Sequence, residues 1–228
     1  MFSYLRSFIE LIYPNLCVVC EKSLVEGENE VCLGCLAKCE ETYFHLQARD
    51  NEVFYRFSTP INITAGSAFY YFEQGGVVQQ VIHSFKYENR YPIGKYLGML
   101  YGNILKNSRI IADIQAIIPI PLHRHKEFER GYNQSEIFAK GLGKALNCKV
   151  LGNGLTRTRN TKSQTELNHE ERRANVANVF KINTKPPEIV LLVDDVITTG
   201  ATLESAAEVL SKNGVKDIRV ICLASVRV

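Results

Sequence analysis

Ile189-Val190-Leu191-Leu192-Val193-Asp194-Asp195-Val196-Ile197-Thr198-Thr199-Gly200-Ala201-Thr202-Leu203 is the stretch that decides the fold. Its first five residues are an unbroken apolar run, as expected of a strand buried on both faces of a sheet. Two acids follow at the strand's carboxyl end, and then a turn rich in threonine. Gly200 permits backbone angles that other residues resist. Thr198, Thr199 and Thr202 bring hydroxyls to the start of the next helix, Thr202 to Lys212, which ends at Asn213-Gly214. Free amides at a helix start, together with the helix dipole, attract phosphate. Asp194 and Asp195, just ahead of that cradle, are placed to accept hydrogen bonds from ribose hydroxyls. The ligand implied by the residues is a ribose 5-phosphate unit.

The same segment resembles the hallmark of the type I phosphoribosyltransferases: apolar strand, Asp-Asp, Thr-Thr-Gly-Ala-Thr. The resemblance implies binding of 5-phosphoribosyl-1-pyrophosphate (PRPP). Asp194 and Asp195 would take the ribose 2- and 3-hydroxyls and orient the reacting sugar. Thr198, Thr199, Gly200, Ala201 and Thr202 would wrap the 5-phosphate, with Mg²⁺ arriving on the pyrophosphate.

The rest of the chain alternates strands and helices, which predicts an α/β fold with a parallel sheet and helices on both faces. Strands are expected at 65–72, 114–118, 149–151, 176–181, 189–193 and 217–226. Helices are expected at 77–87, from Pro92 to Lys106, and at 130–146. A chain of 228 residues holds one medium α/β domain and a small appendage, and we expect the division at 1–60 and 61–228. The net charge of +3 is too small to select a partner by itself. No apolar stretch is long enough to span a membrane. Phe2, Leu5, Phe8, Ile9 and Ile12 recur at helical spacing within Met1–Tyr13, so this segment reads as a short amphipathic helix packed on its own protein. A cytoplasmic location is the expectation.

The appendage is defined by Cys17-Val18-Val19-Cys20 and Cys32-Leu33-Gly34-Cys35, two C-x-x-C pairs separated by eleven residues. In a reducing compartment such pairs favour metal over disulfide. Four thiolates at this spacing suit a closed tetrahedral Zn²⁺ site, which is structural because no position stays open. Cys39 is a spare at poorer spacing, and Cys148 and Cys222 read as core. The segment from Glu40 to Pro60 is polar and irregular, and its place is not legible.

Two basic stretches are candidates for the pyrophosphate. Pro119-Ile120-Pro121-Leu122-His123-Arg124-His125-Lys126 leaves a strand and turns sharply, placing Arg124 at the strand exit. Leu155 to Asn175 is polar, cationic and nearly free of apolar residues. Its Arg157, Arg159, Lys162 and Arg172 could close over a polyphosphate or over DNA.

Taken in order, these segments resemble the ComF (ComFC-like) phosphoribosyltransferase-related family. The resemblance rests on the four-cysteine knuckle, Phe85-Lys86-Tyr87, the Pro-x-Pro-Leu-His-Arg turn, Arg130-Gly131-Tyr132-Asn133-Gln134, the Arg157 to Val176 run and the Asp-Asp segment. His125 departs from the family, where arginine is common. The resemblance implies a role in natural competence: uptake and processing of incoming single-stranded DNA, with a competence helicase or DNA-processing proteins as partners. Two mechanisms are compatible with it. One is a transferase in which pyrophosphate leaves the ribose C1 and an acceptor attacks. The other is a PRPP- or nucleotide-responsive adaptor that grips single-stranded DNA and partner proteins without turnover. The sequence does not name an acceptor.

Overall fold

The computed structural model describes residues 14–57, 61–88, 90–158 and 179–227. The expected amphipathic helix at Met1–Tyr13, and Arg159, Lys162 and Arg172, lie outside the described residues.

Four parallel strands form the main sheet: β1 (Ile63–Phe72), β2 (Ala116–Pro119), β5 (Ile189–Ile197) and β6 (Asp217–Val226). Their spatial order is β1-β6-β5-β2. Two short strands, β3 (Leu155–Arg157) and β4 (Phe180–Ile182), make a separate antiparallel pair. The helices are α1 (Leu33–Leu36), α2 (Val77–Tyr87), α3 (Tyr91–Leu105), α4 (Arg124–Arg130), α5 (Gln134–Leu146) and α6 (Ala201–Lys212). Among the described residues, no helix is long and apolar enough to cross a membrane.

Both faces of the sheet are covered, because alternate residues of the buried strands point to opposite sides. One layer holds α2, α3 and α5 against Phe69, Ile117, Leu191, Val193 and Ile221. The other holds α6, β3 and β4 against Ala68, Ile118, Val190, Leu192 and Val220. The cysteine knuckle joins the first layer, since Cys17, Val31 and Cys35 belong to the same buried cluster as Val78, Phe85 and Leu97.

Helices α3 and α5 pack backbone to backbone. A Cβ added at Gly98 would stand 2.2 Å from the Phe138 carbonyl oxygen, and one at Gly141 would stand 2.3 Å from that of Lys95. Each is a clash with backbone, which cannot swing aside. Glycine inside a helix costs about 1 kcal/mol relative to alanine, whereas overpacking a close contact costs ~1–3 kcal/mol. The clash dominates, so Gly98→Ala is expected to lower the melting temperature by several degrees in a thermal scan, despite its better helix propensity. An unchanged or higher melting temperature would mean that the helices can separate freely.

Four expectations need correction. The helix expected over 130–146 is two helices: Gly131 at φ +77 ends α4, and Asn133 starts α5 by accepting from the Ser135 amide. Arg124 is therefore the first residue of α4, capped by the His123 side chain, rather than part of a turn. The strand expected at 149–151 is reduced to one bridge between Val150 and Ile117, and the one expected at 176–181 forms as β4 over Phe180–Ile182.

The segment that the sequence left unplaced packs against β1. Thr42 donates from its backbone to Phe69 and from its hydroxyl to Ala68, at 3.0 and 2.5 Å. The Asn51 amide reaches the Gly66 carbonyl at 2.9 Å. A 3-10 turn at Phe54–Arg56 then carries Arg56 to the far end of the sheet.

Candidate functional site

Val190 to Val193 are fully buried because β5 is flanked on both sides, by β6 and by β2. Pairing with β2 stops at Pro119 opposite Val193. From Asp194 onward β5 has a neighbour on one side only, and a crevice opens at the carboxyl end of β2. This is where parallel sheets present ligand groups.

Asp194 accepts from the Ser135 hydroxyl at 2.8 Å and from the Asp195 amide at 2.9 Å. Asp195 accepts from the Val196 amide at 2.8 Å and forms a 2.6 Å ion pair with Lys86. Burial, followed by the charge of Asp195, pushes the Asp194 carboxyl up to about 7, although the Ser135 hydroxyl, the Asp195 amide and the Lys86 charge all act the other way. The pair therefore carries less than two full negative charges near neutrality. A donor that stabilises the ionised form would draw off the remaining proton.

The residues around the acids position them. Lys86 sits in the last turn of α2, beside the fully buried Phe85. Tyr132 anchors that turn by donating its hydroxyl to the Phe85 carbonyl. Asn133 caps α5 and donates to the Ile120 carbonyl at 2.9 Å, tying the helix start to the end of β2. Ser135, the second residue of α5, thereby reaches Asp194. The Arg130 to Gln134 motif thus acts as a bracket that fixes Lys86 and Ser135 against the two acids.

The turn after β5 lines a small cavity together with Asp194, through Val196, Ile197, Thr198, Thr199, Gly200, Ala201, Thr202 and Leu203. Gly200 is the N-cap of α6 at φ +83, and it has no side chain to cap the helix. The Thr199 hydroxyl accepts from the Ala201 amide at 3.5 Å, and Thr198, Thr199 and Thr202 all line the cavity at the helix start. Gly200 is required twice over, because a Cβ there would also lie 3.2 Å from the Phe57 ring.

Arg56 holds this turn from behind. Its guanidinium donates to the carbonyls of Ile197 and Thr198, to the Ser225 hydroxyl and to the Val226 carbonyl. In a planar trans peptide the N–H points opposite to the preceding C=O. Drawing the Ile197 and Thr198 carbonyls toward Arg56 therefore aims the Thr198 and Thr199 amides away from it. Arg56→Ala is expected to loosen the turn and weaken phosphate binding by about tenfold or more, since hydrogen bonds to charged groups contribute ~1.5–3 kcal/mol each. Ribose 5-phosphate titration checks this, and unchanged affinity would show that the turn holds its shape alone.

Of the expected cations, Arg157 ends β3, half-buried, with its guanidinium 5.8 Å from the centre of the Phe180 ring. Burial lowers its pKa and the charge of Asp194 acts to restore it, so the two groups share one electrostatic field. Arg124 is exposed at the start of α4 and is not among the groups gathered at the acids. Lys86, Ser135 and Arg56 join the site without having been among the residues expected there. The Phe85-Lys86-Tyr87 motif was the available signal for Lys86; nothing marked Arg56.

The sulfurs of Cys17, Cys20, Cys32 and Cys35 all lie within 4.8 Å of one another, a set that could hold a metal ion. Cys20 and Cys32 are 3.7 Å apart, close to the ~3.8 Å edge of a tetrahedron with zinc–sulfur bonds of about 2.3 Å. The Cys32 amide points at the Cys17 sulfur at 3.3 Å, as a thiolate ligand requires. The residues fit a four-thiolate metal. Cys39 stands outside the set and donates to the Cys35 carbonyl.

Residues 133–228 match the phosphoribosyl transferase domain family. Competence protein F of Haemophilus influenzae is 30% identical over 225 residues, covering 91% of this chain and 96% of that protein. DNA utilization protein YhgH of Escherichia coli is 33% identical over 147 residues, covering 63% of this chain and 65% of that protein. Competence protein ComFC of Streptococcus pneumoniae is 23% identical over 209 residues, covering 91% and 86%. Among solved structures, glutamine PRPP amidotransferase from B. subtilis aligns with a TM-score of 0.43 at 16% identity, over 62% of this chain and 30% of that one. The similarity to competence protein F runs nearly end to end in both chains, and with the fold described above it makes this protein a member of the ComF-like family, with a phosphoribosyltransferase-type domain.

Proposed function

We propose that this chain binds PRPP and acts in natural competence, in the uptake and processing of incoming single-stranded DNA. The observation that carries the reading is that Asp194 and the Thr198 to Thr202 turn at the start of α6 line one cavity, with Asp195 beside Asp194. The acids take the ribose hydroxyls, and the Thr198 to Thr202 turn takes the 5-phosphate. Arg157, Arg159, Lys162 and Arg172 would offset charge on the pyrophosphate or on DNA, with Arg124 as a further cation on the exposed start of α4. Mg²⁺, arriving with PRPP, would offset charge on the pyrophosphate. The relatives named for competence and DNA utilization supply the biological context.

In this reading residues 1–60 form a zinc knuckle and its tether, and residues 61–228 the PRPP domain. Zinc is structural because four thiolates fill its coordination shell. The partners are PRPP, single-stranded DNA and competence DNA-processing proteins, and the location is cytoplasmic.

The test is anisotropy of labelled single-stranded DNA titrated with the zinc-loaded protein over a range of salt, with and without PRPP and Mg²⁺. We expect binding that weakens steeply with salt, as release of phosphate counterions requires, and that shifts when PRPP is added. Absence of binding at low salt would remove DNA from the account. Pyrophosphate release measured in the same mixture separates a transferase from an adaptor.

A further inference from the structure

A second cavity adjoins the acids through Lys86. It has a volume of about 740 Å³ and is lined by Lys86, Tyr87, Lys126, Phe128, Glu129, Arg130 and Gly131. Phe128 is 91% exposed and Tyr87 is 64% exposed. A phenylalanine ring left almost wholly in water forgoes the stabilisation that its burial would give. The Tyr87 ring, by contrast, is held in place. Arg130 lies 5.4 Å from its centre and donates to the Gln134 side chain at 3.1 Å. The lining carries three cations against one acid, Glu129, whose charge faces His125 at 3.3 Å. Lys86 belongs to both places: its ammonium is paired with Asp195, and the residue also lines the groove.

We propose that this groove is a subsite for an unpaired nucleobase, stacked on Tyr87 and Phe128 with its phosphates near Lys126 and Arg130. Flat rings with adjacent cations are the chemistry that holds unpaired bases without reading their sequence. Apolar partners would leave Lys126 and Arg130 without counter-charge. A purely anionic partner would leave Phe128 bare. The location deepens the reading of Asp194 and Asp195 as the ribose site, because it sets a ring beside the sugar. The base comes either from a free nucleoside or from a single strand.

The experiment uses full-length protein with Tyr87→Ala, Phe128→Ala and the pair. Each is titrated with thymidine, with labelled single-stranded oligothymidylate, with a duplex of equal length and, separately, with PRPP. Phe128 and Tyr87 are both exposed, so folding is expected to survive; circular dichroism confirms it. The wild type is expected to bind the single strand more tightly than the duplex. Each truncation should weaken that binding on the order of tenfold, while PRPP affinity stays within about twofold of wild type. Tyr87→Phe should retain binding. Binding of thymidine identifies a free nucleoside as the source, and binding of the strand alone identifies single-stranded nucleic acid. Wild-type affinity in the doubly truncated protein, equal affinity for duplex, or no binding of either probe overturns the proposal. A wild type that binds the strand but not PRPP, with loss in both truncations, would remove the ribose assignment and leave the groove standing.

Discussion

Asp194→Asn together with Asp195→Asn is expected to weaken PRPP binding by at least about a hundredfold while the protein stays folded. Each carboxylate would accept from a ribose hydroxyl, and a hydrogen bond to a charged group contributes ~1.5–3 kcal/mol. An amide can present one oxygen but no charge, so both contributions fall together. The fold has no comparable need of the charges. Asp194 is an acid whose proton is held above the usual range by burial and by its neighbour. A raised acid favours the folded state fully only below its unfolded pKa, and that contribution is lost as pH rises through about 7. Asp194→Asn alone should therefore raise the melting temperature at pH 8 relative to wild type, while lowering affinity. PRPP affinity of the wild type should also climb between about pH 6 and pH 8, as the proton leaves. Lys86→Met removes a charge that lowers Asp194 and should move that climb to higher pH. Retained PRPP affinity in the doubly substituted protein would end the ribose assignment.

The second large effect concerns the knuckle. Chelation, or Cys17→Ser, is expected to release about one equivalent of zinc per chain and to unfold the region around residues 14–39. Structural zinc in small domains contributes about 10 kcal/mol or more to folding. This segment cannot replace that from its own core. Cys17 and Cys35 are also part of the cluster beneath α2 and α3, and Glu30 pairs with Arg90 at 3.3 Å. Loss of metal should therefore lower the melting temperature of the whole protein, not only of the appendage. Cys39→Ser should leave the metal content unchanged, because that sulfur stands outside the set. Metal analysis and thermal unfolding read both results, and a wild-type protein purified without any bound metal would refute the site.

The elements that were legible in the sequence are those governed by local pattern. The helix at Val77–Tyr87 and the strand at Asp217–Val226 have the expected bounds, because periodicity sets them. The buried run before Asp194 identified the central strand. The break at Gly131 was missed because helical spacing continues across it; the left-handed residue and the Asn133 cap decide the boundary. The larger omissions are long-range. Lys86 meets Asp195, and Arg56 reaches Ile197 across 141 residues, only once the sheet has formed. No spacing rule records such contacts. Arg56 lay in a segment without periodicity, so its grip on the turn could come only from the fold.

The most direct test of the PRPP site is a calorimetric titration of PRPP and Mg²⁺ into the zinc-loaded protein. Saturable binding near one site per chain, displaced by ribose 5-phosphate, is the predicted result. No heat, together with no displacement in a competition assay, would contradict the account and leave the Asp-Asp turn as scaffold.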